Sequence, residues 1–516
     1  MNALVRRCVA RAGIPCIWRG KCFSSGNEPA ESSRVTPMLR HLMYKIKSTG
    51  PITVAEYMKE VLTNPAKGYY VHHDMLGDKG DFITSPEISQ IFGEVIPNMK
   101  TIEEMNVIDT WEQTELCSSL LGVWFVSEWM ASGKGTAFHL VELGPGRGTL
   151  AADILRVFSQ LGAVLKSCDI SIHLVEVSQK LSEIQALTLT EEKVALERDA
   201  ESLVYMKGVT KSGIPVSWYR DLKDVPKGYS FYLAHEFFDV LPVHKFQVLL
   251  GKSCLWLTKG LKTVPVNILL THCGIFMTMI EKQISTRIIF SCERCCKFLV
   301  LVKTPHGWRE VLVDVDPQAS DKLRFVLAPC ATPAEAFIQR DERREHVEVC
   351  PDAGVIIQEL SQRIASNGGA ALIADYGHDG TKTDTFRGFY GHQLHDVLVA
   401  PGTADLTADV DFSYLRRMAQ GKVASLGPVG QRTFLKNMGI DVRLKVLLDK
   451  AGEPSMKQQL LRGYDMLMNP QKMGERFNFF ALLPHQRLHG GSQERNARPS
   501  KAPSAPVAGF AELVWQ

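Results

Sequence analysis

The run Glu142-Leu143-Gly144-Pro145-Gly146-Arg147-Gly148 spaces three glycines at alternate positions, two residues after an acid. Glycine lets a backbone turn tightly and approach a ligand with no Cβ in the way. A helix opening just after such a loop, here at Thr149, aims unpaired N–H groups and a positive dipole end at a carboxylate or phosphate. The dinucleotide fingerprint is G-x-G-x-x-G, and the spacing here is one residue shorter. Glu176 ends the next apolar run and is placed to accept from both hydroxyls of a ribose. Asp221 follows a third run and is placed to meet an adenine amino group. Three such strand ends describe a pocket for a nucleoside-bearing cofactor. The competing reading is a glycine turn with two solvated acids.

Those groups need a scaffold. Apolar runs at 138–143, 170–177, 215–219, 229–234 and 370–376 predict strands, with a late one at 477–483. Helical spacing at 149–161, 182–187 and 355–365 alternates with them. The alternation implies an α/β fold with a mostly parallel sheet and helices on both faces. Open sheets of this kind bind ligands at the carboxyl ends of their strands. Upstream, amphipathic helices are expected at 37–43 and 54–61, broken at Gly50-Pro51. A further helix running through Ile91 and Phe92 would be capped by Thr84 or Ser85.

Composition bounds the function classes. The chain has 516 residues, 45% hydrophobic and 22% charged, an ordinary globular balance. The formal charge of +3 is concentrated at the start, where Arg6, Arg7, Arg11, Arg19 and Lys21 precede the first acid, Glu28. An Arg-rich, acid-free leader fits a mitochondrial transit peptide. The remaining body is slightly acidic and lacks the basic footprint of a nucleic-acid binder. The 12 cysteines are scattered and read as no disulfide scaffold. Cys292-x-x-Cys295-Cys296 is half a zinc pattern without a second pair nearby, so no metal site is expected. The longest uncharged stretch, 263–280, is interrupted by Pro265, Asn267 and His272 and gives no stable membrane span. The expected division is leader and linker at 1–35, an N-terminal helical lid region at 36–136 and a catalytic domain at 137–485. A disordered, polar tail follows at 486–516.

An acid two residues ahead of G-x-G-x-G is the pattern of class I methyltransferases. Beyond it, the chain resembles the MidA-like family of mitochondrial complex I assembly-factor protein arginine methyltransferases. The matching segments include Gly50-Pro51-Ile52, Gly68-Tyr69-Tyr70, the stretch 80–87 and Val141 to Gly148. They continue at His235-Glu236-Phe237-Phe238-Asp239, Asp375-Tyr376-Gly377, the stretch 401–407 and Met473-Gly474-Glu475-Arg476-Phe477. The match covers about residues 37 to 485, and Glu-Phe-Phe-Asp after the fourth strand is particular to the family.

The resemblance implies a Rossmann-like class I fold with a seven-stranded sheet and extra substrate-side elements. It implies S-adenosyl-L-methionine as cofactor, held by Glu142, Gly144, Pro145, Gly146, Gly148, Glu176 and Asp221. Thr84, Ser85 and Glu87 would form a lid over it. It further implies symmetric dimethylation of an arginine in a core matrix-arm subunit of complex I, in the mitochondrial matrix. Glu236 and Asp239, on an expected helix start, would grip the guanidinium, with His235 as proton acceptor. In the alternative, the two acids merely cap that helix. Asp405, Asp409 and Asp411 would add acidity, or form a solvated face. Two stretches, 95–119 and 248–302, lack a family counterpart. The second interrupts an expected β hairpin, and its apolar runs have no evident partner. Two competing functions are a non-catalytic complex I assembly chaperone that keeps the fold, and a methyltransferase acting on a small molecule or lipid.

Overall fold

The computed structural model describes residues 35–72, 118–191, 197–198, 202–257, 276–280, 287–292, 297–391, 393–489 and 506–511. Seven strands form the frame: β1 (Ala137–Leu143), β2 (Asp169–Val175), β3 (Pro215–Tyr219), β4 (Ser230–His235), β5 (Gly369–His378), β6 (Ala424–Gly430) and β7 (Phe477–Leu483). They lie in the order β3-β2-β1-β4-β5-β7-β6, within a sheet of ten strands rather than the seven expected, since antiparallel strands at 204–209 and 197–198 extend it beyond β3 and a short parallel one at 410–411 joins β5. The first five run parallel, and β7 is antiparallel to both its neighbours. From β1 the chain winds outward through β2 and β3, then returns to place β4 on the other side. The switch point therefore falls between β1 and β4, where an open sheet leaves a crevice.

Both faces of the sheet are covered, so its central strands are buried throughout. Strand alternation divides β1: Phe138 and Leu140 enter one core with Trp124, Ile154, Phe158 and Phe231, while Val141 and Leu143 enter the other with Tyr232, Ile357, Ile364 and Phe480. Helix Thr149–Gln160 packs Leu150, Ile154, Val157 and Phe158 inward at helical spacing. Full burial of each such side chain stabilises by ~1.5–3 kcal/mol. The predicted strands, and the helices expected at 37–43, 54–61, 149–161, 182–187 and 355–365, appear near their expected bounds, while the helix expected through Ile91 and Phe92 lies outside the described residues. β6 was not anticipated, because Ala-Ser-Leu-Gly-Pro-Val-Gly shows no alternation and all its residues are half-buried.

The N-terminal helices Pro37–Thr49 and Val54–Thr63 form a separate core with a second, antiparallel sheet and with Leu406. Val54, Tyr57, Met58 and Val61 face it at helical spacing, and the Thr53 hydroxyl caps the second helix through Glu56 N at 3.0 Å. The strands flanking the second insertion pair at 246–248 with 308–310, and 311–315 pairs onward with 323–327. The apolar run 298–302, expected to lack a partner, pairs with strands on both sides, at 253–257 and 288–292.

The tail, expected to be disordered, holds structure in its described residues, 486–489 and 506–511. Helix His485–His489 continues from β7, and Arg487 grips buried Glu128 with Nε and Nη2 at 2.8 and 2.9 Å. Val507 and Ala508 are buried, and the Trp124 indole donates to Ala508 O at 3.1 Å. An apolar cluster that the polar flanks concealed pins these residues. Among the described residues, no helix is long and apolar enough to cross a membrane.

Candidate functional site

The glycine loop leaves β1 at the switch point. Gly144, Gly146 and Gly148 have φ of +62°, +53° and +80°, values that cost any residue with a Cβ. A Cβ on Gly144 would also stand 2.7 Å from the Phe237 ring. The loop closes through Gly148 N to Pro145 O at 2.8 Å, and Pro145 fixes the turn between the glycines. Gly148 caps the helix Thr149–Gln160 with no side chain of its own. The first N–H groups of that helix therefore remain for an anionic ligand group.

Glu142 lies behind this loop, buried, with Oε2 lacking a hydrogen-bond partner. Burial pushes its carboxyl up to about 8. An orphaned carboxylate beside a glycine cradle fits a ligand that brings a cation or several donors.

Glu176 follows β2. Its Oε1 accepts from Ser178 N at 2.7 Å and its Oε2 from Gln185 Nε2 at 3.0 Å. Burial raises this carboxyl to about 7 against those hydrogen bonds. Gln185 is a positioning residue that sequence reasoning missed. Its amide also donates to Gly146 O at 2.8 Å and accepts from Trp218 Nε1 at 3.0 Å, tying the glycine loop to the acid. Nothing in the sequence of helix 179–189 singles Gln185 out from the other polar residues there.

Asp221 sits beyond β3 at the same end of the sheet. Its carboxylate is half exposed, accepts from Lys223 N at 3.0 Å and pairs with Lys223 Nζ at 3.0 Å. Those contacts hold it well below the usual carboxylate range despite partial burial. It remains ionised and accessible to an amino group, but its first duty is to its own turn. Thr84, Ser85 and Glu87 lie outside the described residues.

The acids after β4 are assembled differently from the expectation. No helix starts there: 236–240 is a bend followed by a turn. The cap reading of Glu236 and Asp239 falls with it. Glu236 has φ +51°, a conformation a glutamate rarely takes, which swings the following residues out of the strand. What holds the turn is Asp375, fully buried at β5. Its Oδ2 accepts from Phe237, Phe238 and Asp239 N at 3.1, 2.9 and 3.3 Å, and its Oδ1 from Tyr376 N at 2.9 Å. Phe237, carried on the same turn, closes against Gly144. The acid turn and the glycine loop thereby meet.

Asp239 is buried, with Oδ1 lacking a partner. Burial, then the negative neighbours Asp375, Glu236 and Asp405, raise its carboxyl well above the usual range. Asp375 is itself raised to about 7 by burial. Asp405 joins this cluster and accepts from the Tyr70 hydroxyl at 2.7 Å. Asp409 and Asp411 do not join it freely. Asp409 pairs with Lys382 and Arg387 at 2.5 and 2.6 Å, and Asp411 caps helix Phe412–Met418 and pairs with Arg344 at 3.0 Å. His235 ends β4, buried, with Nε2 unpartnered and its ring 5.2 Å from that of Phe477. Burial lowers it to about 4, so it is neutral at pH 7 and a weaker proton acceptor than Asp239.

A mostly parallel sheet with a glycine cradle at its switch point, a buried acid at the next strand end and an adjoining acidic pocket is the frame of a nucleoside-cofactor transferase. The chain is a member of the family described as "Putative S-adenosyl-L-methionine-dependent methyltransferase", whose model matches residues 120–429. It is similar to the mitochondrial protein arginine methyltransferase NDUFAF7 of Mus musculus, 78% identical over 516 residues and all of both chains. The protein of that name from Homo sapiens is 72% identical, over 98% of this chain and 97% of its own. The Drosophila melanogaster homologue is 41% identical over 92% and 90%. In fold, the chain is similar to a Burkholderia thailandensis protein crystallised bound to S-adenosyl-homocysteine. That likeness has a TM-score of 0.59 at 22% identity and covers 89% of this chain and 95% of the other. The protein is an S-adenosyl-L-methionine-dependent methyltransferase.

Proposed function

We propose that this methyltransferase acts on an arginine side chain of a core matrix-arm subunit of complex I, within the mitochondrial matrix, and dimethylates it symmetrically. The observation that carries the reading is the buried carboxylate cluster of Asp239, Asp375 and Asp405, one turn from the cofactor loop. Burial and then its acidic neighbours raise the Asp239 carboxyl, and a guanidinium relieves that cost with charge-assisted, paired hydrogen bonds. A neutral small molecule or a lipid brings no such compensation. The names of the relatives support arginine as the methylated side chain and a mitochondrial location.

The residues fit the cofactor. Glu142 would take its ammonium, the N–H groups opening helix Thr149–Gln160 its carboxylate, Glu176 its ribose and Asp221 its adenine amino group. When bound, the cofactor supplies a methyl group on a sulfonium. The protein's task is then to aim one guanidinium nitrogen at that methyl, so positioning dominates. Removing the proton beforehand would cost about 9 kcal/mol for a group of pKa about 13.8. Asp239 instead accepts it as the C–N bond forms, and its raised basicity suits that role. Glu236 shares the grip, and His235 fills the wall as a neutral ring.

The direct test incubates the chain with S-adenosyl-L-methionine and isolated core matrix-arm subunits, then maps the modified side chain by fragmentation mass spectrometry. Symmetric dimethylarginine is the expected product. Cofactor binding with stable subunit binding and no transfer would instead favour the assembly chaperone.

A further inference from the structure

Tyr70 touches both halves of the site. Its carbonyl accepts from the Ser178 hydroxyl at 3.1 Å, and its own hydroxyl donates to Asp405 Oδ1 at 2.7 Å. Ser178 is two residues beyond Glu176 and donates its backbone N–H to that carboxylate at 2.7 Å. The same Ser178 hydroxyl caps helix Gln179–Leu189 through Leu181 N at 3.3 Å. An unbroken series of hydrogen bonds thus runs from Gly146 O through Gln185, Glu176, Ser178 and Tyr70 to Asp405.

The N-terminal layer holds the segment leading to Asp405 at three points. The Thr36 hydroxyl donates to Pro401 O at 2.7 Å, the Tyr57 hydroxyl donates to Val397 O, and Tyr70 reaches Asp405 itself. Of these ties, that of Tyr70 also meets the cofactor side. Tyr69, fully buried in the N-terminal core, sets its edge against the Tyr70 ring with centroids 5.5 Å apart. The Tyr70 side chain is thereby held between the Tyr69 ring and Asp405.

We propose that Tyr70 is a positioning residue that couples cofactor occupancy at Glu176 to the orientation of the substrate acid Asp405. A cofactor ribose on Glu176 would fix the Ser178 turn, the turn would fix the Tyr70 backbone, and the hydroxyl would then hold Asp405 in place to accept a guanidinium. The direction of the hydrogen bond matters: a phenol donating to the carboxylate stabilises its ionised form. The assignment of Asp405 to substrate rests on the function proposed above, while the coupling itself does not.

The test uses the full chain and S-adenosyl-homocysteine, with hydrogen exchange read by mass spectrometry. In the wild type, the ligand should slow exchange at 69–72 and at 404–408. Tyr70→Phe keeps the ring and the carbonyl and removes one hydroxyl. Its ligand affinity should stay within about twofold, because no atom facing the cofactor changes. Protection at 69–72 should persist, and protection at 404–408 should vanish. Ligand-dependent protection at 404–408 that survives in Tyr70→Phe, or that is absent from the wild type, overturns the coupling. A purely structural tyrosine would loosen 404–408 equally with and without ligand, which also overturns it.

A second probe, N-acetyl-L-arginine amide, separates the two readings. With S-adenosyl-homocysteine saturating, it should bind Tyr70→Phe about tenfold more weakly than wild type, the loss of one hydrogen bond to a charged group. If the wild type does not bind this probe while the exchange pattern behaves as described, the coupling stands and the arginine reading fails.

Discussion

On the cofactor side, Glu176 accepts from Ser178 N and Gln185 Nε2, all within ten residues of chain, and the glycine loop closes on its own backbone. On the proposed substrate side, Asp239 lies 136 residues before Asp375, which lies 30 before Asp405, and Asp239 Oδ1 has no partner. The first half is a preformed cradle built from local turns. The second is a set of like charges held together against their repulsion, with one buried aspartate spending its acceptor capacity on the neighbouring turn. Local geometry suits a ligand of fixed shape, whereas the strained acidic cluster suits a cation that arrives late and relieves it.

The comparison breaks most severely at Gly146. Gly146→Val imposes a β-branched side chain on φ +53°. Cofactor affinity should fall by about a hundredfold or more while far-ultraviolet circular dichroism stays native, since the cost is confined to the cradle. Calorimetric titration with S-adenosyl-L-methionine measures it, and unchanged affinity would remove the loop from the site.

Asp239→Asn should act on the other half alone. Methyl transfer should drop by about 10²–10³ with cofactor affinity preserved, because a general acid–base group is lost but no cradle contact changes. Single-turnover kinetics beside equilibrium binding separates the two.

Asp375→Asn links the halves to stability. The amide keeps one acceptor oxygen where the carboxylate had two, so backbone N–H groups of the Phe237 turn lose their partner. A destabilisation of ~1–3 kcal/mol is expected by denaturant titration, together with slower transfer. Slower transfer with no change in stability would mean that Asp375 acts on substrate directly.

A further effect is a pH dependence. Glu142 sits near 8 in the folded chain against an ordinary 4.5. A raised acid contributes its stability fully below about 4.5, and that contribution is lost as pH rises through 8. The unliganded melting temperature should therefore decline across that window. In Glu142→Gln the decline should flatten, although Glu176, near 7, keeps a residual slope. An identical slope in both proteins would show that Glu142 is not buried alone.

The cofactor half was legible because its signals are short-range. Glycines at alternate positions, an acid at a strand end and apolar runs of five to eight residues are properties of neighbouring residues. Gln185 escaped because nothing in a helix sequence says which buried polar side chain turns toward a distant loop. The acids after β4 were legible, but the helix expected to carry them does not form, since one positive φ at Glu236 converts the run into a turn. Asp375 supplies the reason, 136 residues away from Asp239.

The sequence by itself determined the parallel sheet, its glycine cradle and the chemical class of its cofactor, because periodicity and turn chemistry are local. Tertiary structure alone decided which of many acids share a pocket, that Asp409 and Asp411 are spent on ion pairs and a helix cap, and that Tyr70 spans the two halves. Burial and pairing are properties of the packed molecule. Burial raises the carboxyls of Glu142, Asp239 and Asp375, while Asp409, paired with Arg387 and Lys382, is held below the usual range.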